Sequence, residues 1–457
     1  MGIKAIILAA GKGTRMKSKL PKVLHKVCGK EMVNHVIDAS LEAGAKSNIV
    51  VIGHGGEAVG NCLPEGVETV VQEEQLGTGH AVMMANNYID DSDTIVILCG
   101  DTPLIEGETI KALIEFHRKY GFAVSVLSAL MENPKGYGRI IRGESKELVG
   151  IVEEKDASEE QRLVCEINSG MYCFEGKALR EALLEIRSDN SQGEYYLTDA
   201  VEIIRGKGMT AGAFAGATSE QIMGVNNRLQ LSEAECLMKK RINEFHMLNG
   251  VTLIDPLATY IESGALIGSD TIIYPGSLIK GNSVIGEGCI VGPGCTIDSS
   301  RLDDGCEIQN SVIVKSAVGS GSKVGPFAYL RPNSNIGRNV KIGDFVEVKN
   351  SNIGDNSKAS HLSYIGDADV GEDVNIGCGT VFVNYDGKKK SRAKVGDRSF
   401  IGCNTNLIAP VELGENSYIA AGSTITDNVP GDSFAIARQR QTTKEGYLKG
   451  DKWEKKD

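Results

Sequence analysis

Near the N-terminus of this 457-residue chain, Leu8-Ala9-Ala10-Gly11-Lys12-Gly13-Thr14-Arg15-Met16 runs on to Pro21-Lys22. Gly11 and Gly13 permit close backbone approach to a triphosphate, and Arg15 and Lys22 supply charge for its oxygens. Met16 replaces the third glycine of the dinucleotide fingerprint, and no Gly-Lys-Ser/Thr follows, so the stretch is neither of those two phosphate loops. Taken alone, its glycines favour a plain strand-to-helix turn. Further on, Gln72 precedes Gln75-Leu76-Gly77-Thr78-Gly79-His80. A glutamine amide offers one acceptor and two donors, which suits an imide-like base edge, or it ends a strand in water. Asp101 follows the apolar run 94–100. There a carboxylate either takes a hard cation bridging phosphates or caps the turn before Pro103.

The elements that must position these groups follow two different patterns. Residues 4–226 alternate apolar strands (4–10, 48–52, 94–99) with helical patterns such as 32–43, whose face is Val33, Val36, Ile37 and Leu41. Such alternation predicts a parallel sheet covered by helices, with ligands outside the carboxyl ends of the strands. Residues 228–248 lack Gly and Pro and disperse apolar residues among Glu, Lys and Arg, which predicts one long linker helix. From about residue 250 a six-residue period takes over: Ile267, Ile273, Ile279, Ile285, Val291, Ile297; then Val318 to Val348; then Ile401 to Ile425. No helix keeps a six-residue stripe on one face, whereas a coil with a corner every six residues does. Between Phe382 and Val395 the charged insertion 384–392 breaks this register and predicts an extruded loop.

The six-residue half is similar to the left-handed parallel β-helix of hexapeptide-repeat acyltransferases. LAAGKGTRM with PK resembles the signature of sugar-1-phosphate nucleotidyltransferases. Together, over nearly the whole length, the chain resembles the family of bifunctional N-acetylglucosamine-1-phosphate uridyltransferase/glucosamine-1-phosphate acetyltransferases. The resemblance implies a fold of class α/β: a Rossmann-like nucleotidyltransferase domain (1–227), a linker helix (228–248) and a β-helix acetyltransferase domain with a C-terminal tail (249–457). It implies that UTP and its product are held by Leu8, Ala9, Gly11, Gly13, Arg15, Lys22, Gln72, Gly77, Thr78 and Asn226, and the sugar by Gly138, Glu153 and Asn168. It implies Mg²⁺ on Asp101 and Asn226, and Arg15 and Lys22 as charge-neutralising catalytic residues.

In the second half the resemblance makes His361 the catalytic base. Arg331, Lys349, Tyr364 and Asn375 become contacts to glucosamine-1-phosphate, and Cys378, Asn384, Tyr385, Cys403, Ala421 and Arg438 contacts to acetyl-CoA. Where the family carries small Ala and Ser, this chain has Cys378 and Cys403. A single histidine is more often structural. However, Arg331, Lys349, His361 and Asn375 recur at intervals close to one coil, which predicts a line on one side. Lys388, Lys389 and Lys390 are expected to meet coenzyme A phosphates. A homotrimer through the β-helix is implied, with Arg438 reaching a neighbour, and the product is expected to feed peptidoglycan synthesis, with lipopolysaccharide synthesis left open as a further use.

The net charge of −11 argues against nucleic-acid or anionic-membrane partners. The run Ala5–Ala10 is too short for a signal-peptide core, and the acylation pattern starting at Gly2 fails at Ile6. Eleven cysteines form no C-x-x-C pair, so neither a zinc site nor a disulfide framework is expected. The expected location is cytoplasmic. The competing readings are another nucleotidyltransferase with a non-catalytic β-helix, and a β-helix used only for assembly.

Overall fold

The computed structural model describes residues 2–447 apart from 54, 145 and 191, and the expected tail beyond 447 lies outside the described residues. The chain divides into two compact units, one ending at Arg241 and the other beginning at Ile242. The predicted long helix is Arg228–Leu248, so the boundary falls within it.

The first unit is built on a nine-stranded sheet. Its main order is Ala211–Phe214, Val124–Leu130, Glu166–Glu175, Thr94–Cys99, Ile3–Ala9, Ser47–Ile52 and Glu68–Val71. A hairpin, Arg139–Arg142 with Leu148–Val152, attaches to Glu166–Glu175. Helices cover both faces. Met32–Glu42 and Gly107–Tyr120 bury Val33, Val36, Ile37, Ile110 and Leu113 on one face. On the other, Thr78–Met84, Gly176–Leu183 and Asp199–Gly206 bury Val82, Leu179, Ala200 and Ile204. Each fully buried aliphatic of this kind contributes about 1.5–3 kcal/mol.

The expectation of a parallel sheet is corrected at one strand of the main order and in the attached hairpin, whose strands pair antiparallel. Glu166–Glu175 runs antiparallel to both Thr94–Cys99 and Val124–Leu130, with a bulge between Asn168 and Tyr172. The turn of the attached hairpin reverses the chain, and Glu166–Glu175 keeps the direction of Leu148–Val152, both being antiparallel to Arg139–Arg142. An apolar run reads the same in either direction, and periodicity carries no sign of it.

In the second unit, strands of two to four residues stack into three parallel sheets of eleven, ten and nine strands, three strands to a coil. Ile342, Ala359, Ile376, Ile401 and Ile419 pair in register in one sheet. Leu330, Val348 and Ile365 do so in the next. The six-residue stripe is the interior of this prism, whose aliphatics are buried almost throughout. Some coils lose one residue, as in Ile297, Leu302, Ile308, Ile313 and Val318, where the period shortens while every member stays inside. Buried serines mend the ladder at corners: the Ser322 and Ser357 hydroxyls accept from the Val340 and Val374 amides, each at 2.9 Å.

Candidate active sites

In the first unit, a cavity of about 310 Å³ opens at the carboxyl ends of the central strands. Leu8, Ala9 and Gly11 form one wall, Gln72, Gly77 and Thr78 another, and Lys22 and Asp101 the floor. Gly13 and Arg15 lie outside this lining. The Lys22 ammonium donates to the Asp101 carboxylate and, at 3.1 Å, to the Asn226 side-chain oxygen. Arg15 reaches the same Asn226 oxygen at 2.9 Å. The Val225 amide donates to the Asp101 carbonyl at 2.9 Å, which brings Asn226 beside Asp101 across 125 residues of sequence. Hard oxygen atoms from a carboxylate and an amide thus share a cation, the donor chemistry that suits Mg²⁺.

At the opposite wall, Gln72 is buried; its amide donates to the Gly77 carbonyl at 3.1 Å and lies 3.0 Å from His80 Nδ1. The bland expectation of a solvated strand end does not hold. The Thr78 hydroxyl accepts from the Leu197 amide at 3.1 Å. Gly77 has φ +114°, and a Cβ there would lie 2.6 Å from the Tyr195 carbonyl oxygen, so only glycine fits. Cys99 also lines the cavity; burial, then the Asp101 charge, push its thiol up to about 12 and keep it protonated.

Gly138, Glu153 and Asn168 come together although they lie on three strands or their ends. The Asn168 amide donates to the Gly138 carbonyl at 2.9 Å, and a Cβ on Gly138 would sit 3.4 Å from Glu153 Oε2. The side chain of Asn168 is held by the Gly170 amide and the Tyr172 hydroxyl on the bulge. Burial, and then Asp156 and Asp199, raise the Glu153 carboxyl above its ordinary range. A carboxylate so placed can accept hydrogen bonds from sugar hydroxyls.

In the second unit the predicted line of Arg331, Lys349, His361 and Asn375 is corrected. Arg331 and Lys349 do stack, because Leu330 pairs with Val348. His361 ends the strand Lys358–His361 in a different sheet, whereas Asn375 starts its own strand, level with Lys358. Only a whole coil returns a residue to the same point; a step of 12 crosses to another face. Arg331 and Lys349 therefore sit at one edge of a prism face and His361 at the other, spanned by Tyr364 on strand Tyr364–Gly366, while Asn375 belongs to the neighbouring face.

A different column replaces that line. Two positions beyond the in-register aliphatics, Asp344, His361, Cys378, Cys403 and Ala421 follow one another on successive coils at about 4.8 Å spacing. Nδ1 of His361 lies 2.6 Å from the Asp344 carboxylate. Arg438 lies beside the next residue of this column's last coil, its Cδ 3.5 Å from where a Cβ on Gly422 would be.

At the opposite edge, Asp367 gathers the polar groups. It receives Lys349 at 3.0 Å, Asn350 at 2.6 Å and the Asn384 amide, which also lies 3.5 Å from the Tyr364 hydroxyl. Burial acts to raise the Asp367 carboxyl, but hydrogen bonds from Asn350, Lys349 and Asn384 outweigh it and hold it below the carboxylate range. Arg331 pairs with Glu347 at 2.8 Å. The insertion forms a small hairpin in which Tyr385 bridges Lys390 and Asp386 caps the Lys388 and Lys389 amides.

Comparison with known proteins agrees with both halves. The MobA-like NTP transferase domain model matches residues 5–198, and the bacterial transferase hexapeptide (six repeats) model matches 264–299 and 392–427. "Bifunctional protein GlmU" of Clostridioides difficile (strain 630) is 60% identical over 448 residues, covering 98% of both chains. The proteins of the same name from Alkaliphilus oremlandii (strain OhILAs) and Alkaliphilus metalliredigens (strain QYMF) are 58% and 53% identical, each again over 98% of both chains. The chain belongs to the GlmU family. It is a bifunctional transferase, with a nucleotidyl-transfer domain and a left-handed β-helix of hexapeptide repeats for acyl transfer.

Asp344 and Asp367 escaped the reading of this GlmU-family sequence. Asp344 stands 17 residues before His361 and Asp367 stands 18 after Lys349. One coil's offset was the signal that could have found both. No helix among the described residues is long and apolar enough to cross a membrane.

Proposed function

We propose that the two units catalyse consecutive steps of UDP-N-acetylglucosamine synthesis, acetyl transfer to glucosamine-1-phosphate and then uridylyl transfer to N-acetylglucosamine-1-phosphate. The observation that carries this reading is the Asp344–His361 pair at the head of a column through Cys378, Cys403 and Ala421. A β-helix used only for assembly has no need of it.

For acetyl transfer, Arg331 and Lys349 hold the sugar phosphate at one edge of the face, with Tyr364 and Asn375 as further contacts. Acetyl-CoA lies along the column and the hairpin, toward Asn384, Tyr385 and Arg438. With Nδ1–H donating to Asp344, Nε2 of His361 is left free to accept a proton. The sugar amine attacks the thioester carbonyl, His361 takes its proton, and coenzyme A leaves as the thiol. A thioester is already activated, so no cysteine nucleophile is needed.

For uridylyl transfer, Gln72, Gly77 and Thr78 hold the base, and the turn at Gly11 and Gly13 admits the triphosphate. Gly138, Glu153 and Asn168 hold the sugar. The phosphate oxygen of N-acetylglucosamine-1-phosphate attacks the α-phosphorus in line and pyrophosphate leaves. Arg15 and Lys22 neutralise charge developing on the phosphoryl oxygens. Asp101 and Asn226 would hold Mg²⁺, which when bound supplies further neutralisation of phosphate charge. Lys22 then shifts from these two residues to the triphosphate.

The assembly we favour is a homotrimer through the β-helix, supported by the exposed corner stack of Phe327, Phe345 and Leu362 beside His361. The cytoplasm, where UTP and acetyl-CoA reside, is the matching location, and peptidoglycan synthesis the use of the product. The deciding experiment supplies glucosamine-1-phosphate, acetyl-CoA, UTP and Mg²⁺ and reads thiol and pyrophosphate release together. Thiol release without pyrophosphate, or the reverse, would reduce the protein to one activity.

A further inference from the structure

Cys378 and Cys403 are 25 residues apart in sequence but occupy the same position on consecutive coils. Two backbone hydrogen bonds bracket them: Gly377 N to the Ile401 carbonyl at 2.8 Å, and Asn404 N to the Cys378 carbonyl at 2.7 Å. Their Cα atoms are therefore separated by about one strand spacing, 4.8 Å, inside the range of about 4.4–6.8 Å that a disulfide spans. Both are free; Cys403 is exposed and Cys378 half-buried. Gly377 and Gly402 precede them, and a Cβ on Gly377 would lie 2.6 Å from the Cys403 backbone nitrogen. Both glycines are buried, so the coils close tightly just before the thiols and hold them at this separation.

Cys289 and Cys306 also stack on consecutive coils, but both are wholly buried in the prism interior. Only the 378/403 pair meets solvent, and it adjoins His361 in the column.

We infer that Cys378 and Cys403 form a dithiol site that exchanges with the disulfide of the acyl carrier, coenzyme A disulfide. This rests on the proposal above that the column holds the acyl donor, since the oxidised carrier presents the same nucleotide and pantetheine arm. The Cys378 thiolate attacks one sulfur of the carrier disulfide, forming a mixed disulfide and releasing one coenzyme A thiolate. The Cys403 thiolate then attacks the Cys378 sulfur, closing the Cys378–Cys403 bond and releasing the second coenzyme A. Two electrons pass from the cysteine pair to the carrier, and excess coenzyme A thiol drives the reverse reaction. Cβ atoms one strand spacing apart exceed the roughly 3.5–4.5 Å that a disulfide spans, so closing the bond draws the two coils together locally and leaves it easily reduced. While it is closed, or while the mixed disulfide stands, the acyl donor is excluded or misplaced beside His361, whereas the first unit is untouched.

The test uses the full chain, with each variant compared to its own untreated activity. Coenzyme A disulfide is added at low concentration, and glutathione disulfide and diamide are added in parallel. The expected result is a Cys378–Cys403 cross-linked peptide by mass spectrometry, formed by coenzyme A disulfide at concentrations where glutathione disulfide gives none. Acetyl transfer should fall about 10²-fold, as for other misplaced reacting groups, and return with dithiothreitol, while uridylyl transfer is unchanged. Cys403→Ala should stop at a coenzyme A adduct on Cys378. No cross-link with any oxidant overturns the inference, as does equal reaction with glutathione disulfide, or an equal loss of activity in the Cys378→Ala/Cys403→Ala variant. If the untreated protein releases no thiol from acetyl-CoA and glucosamine-1-phosphate, the acetyltransferase reading itself fails; the peptide map still reports on the dithiol.

Discussion

Replacing Asp344 by Asn tests whether the carboxylate orients His361. The two side chains meet at 2.6 Å, a charge-assisted distance, but they are 36% and 58% exposed. A hydrogen bond to a charged group contributes about 1.5–3 kcal/mol, and solvent at this corner favours the lower end. An Asn side chain can also donate to Nδ1, which moves the ring proton to Nε2 and removes the base. At about 1.36 kcal/mol per decade, the expected loss in kcat for acetyl transfer is about 10-fold from the bond, rising toward 10²-fold if the tautomer also changes. The KM for glucosamine-1-phosphate should move less than about twofold, because Arg331 and Lys349 at the other edge are untouched. Stability should hardly change, as exposed pairs contribute about 0–1 kcal/mol. Thiol release from acetyl-CoA, pyrophosphate release from UTP and thermal unfolding are measured on one preparation. In a His361→Ala background Asp344→Asn should add almost nothing, since one residue acts through the other. A folded Asp344→Asn variant with acetyl transfer within about threefold of wild type, or with losses additive to those of His361→Ala, refutes the reasoning.

His361→Ala should cost about 10²–10⁴-fold in acetyl transfer and leave uridylyl transfer, assayed with N-acetylglucosamine-1-phosphate, near normal; a few-fold effect would mean a packing role. Gly77→Ala drives a Cβ into the Tyr195 backbone and should raise the KM for UTP about tenfold or more with acetyl transfer intact; an unchanged KM would remove this turn from base binding. Asp199 is raised to about 6 by burial, then by Glu202 and Asp156. Its folded value exceeds its unfolded one, so its burden on stability is absent below about pH 4, grows as pH rises through 6 and is constant above. Asp199→Asn should therefore stabilise by about 1 kcal/mol at pH 7.5, after discounting for partial exposure, and by almost nothing near pH 4; equal melting shifts at both pH values would contradict the sign. Fragments 1–227 and 1–241 should both keep uridylyl transfer without acetyl transfer. The longer should melt higher, because it retains Gln230 on the Asn226 amide at 2.9 Å and Arg241 on the Leu104 carbonyl at 3.1 Å. Equal melting would show that the helix adds nothing to the first unit.

The chain's period of six by itself determined which aliphatics lie inside the prism, since only a three-sided coil hides Ile336, Ile342 and Val348 alike. The absence of Gly and Pro set the helix Arg228–Leu248, and the glycines of the first turn set a phosphate-sized opening after the first strand. Tertiary structure decided direction and register. Glu166–Glu175 runs backwards because a hairpin feeds it, and no composition records that. His361, Cys378, Cys403 and Ala421 share a column although their separations are 17, 25 and 18 residues. One coil dropped a residue and another extruded a hairpin before Ala393–Val395 rejoined Ala368–Val370. Hydrogen bonds between coils absorb such gains and losses at the corners, so the contacts that build the site follow the ladder and not the count along the chain.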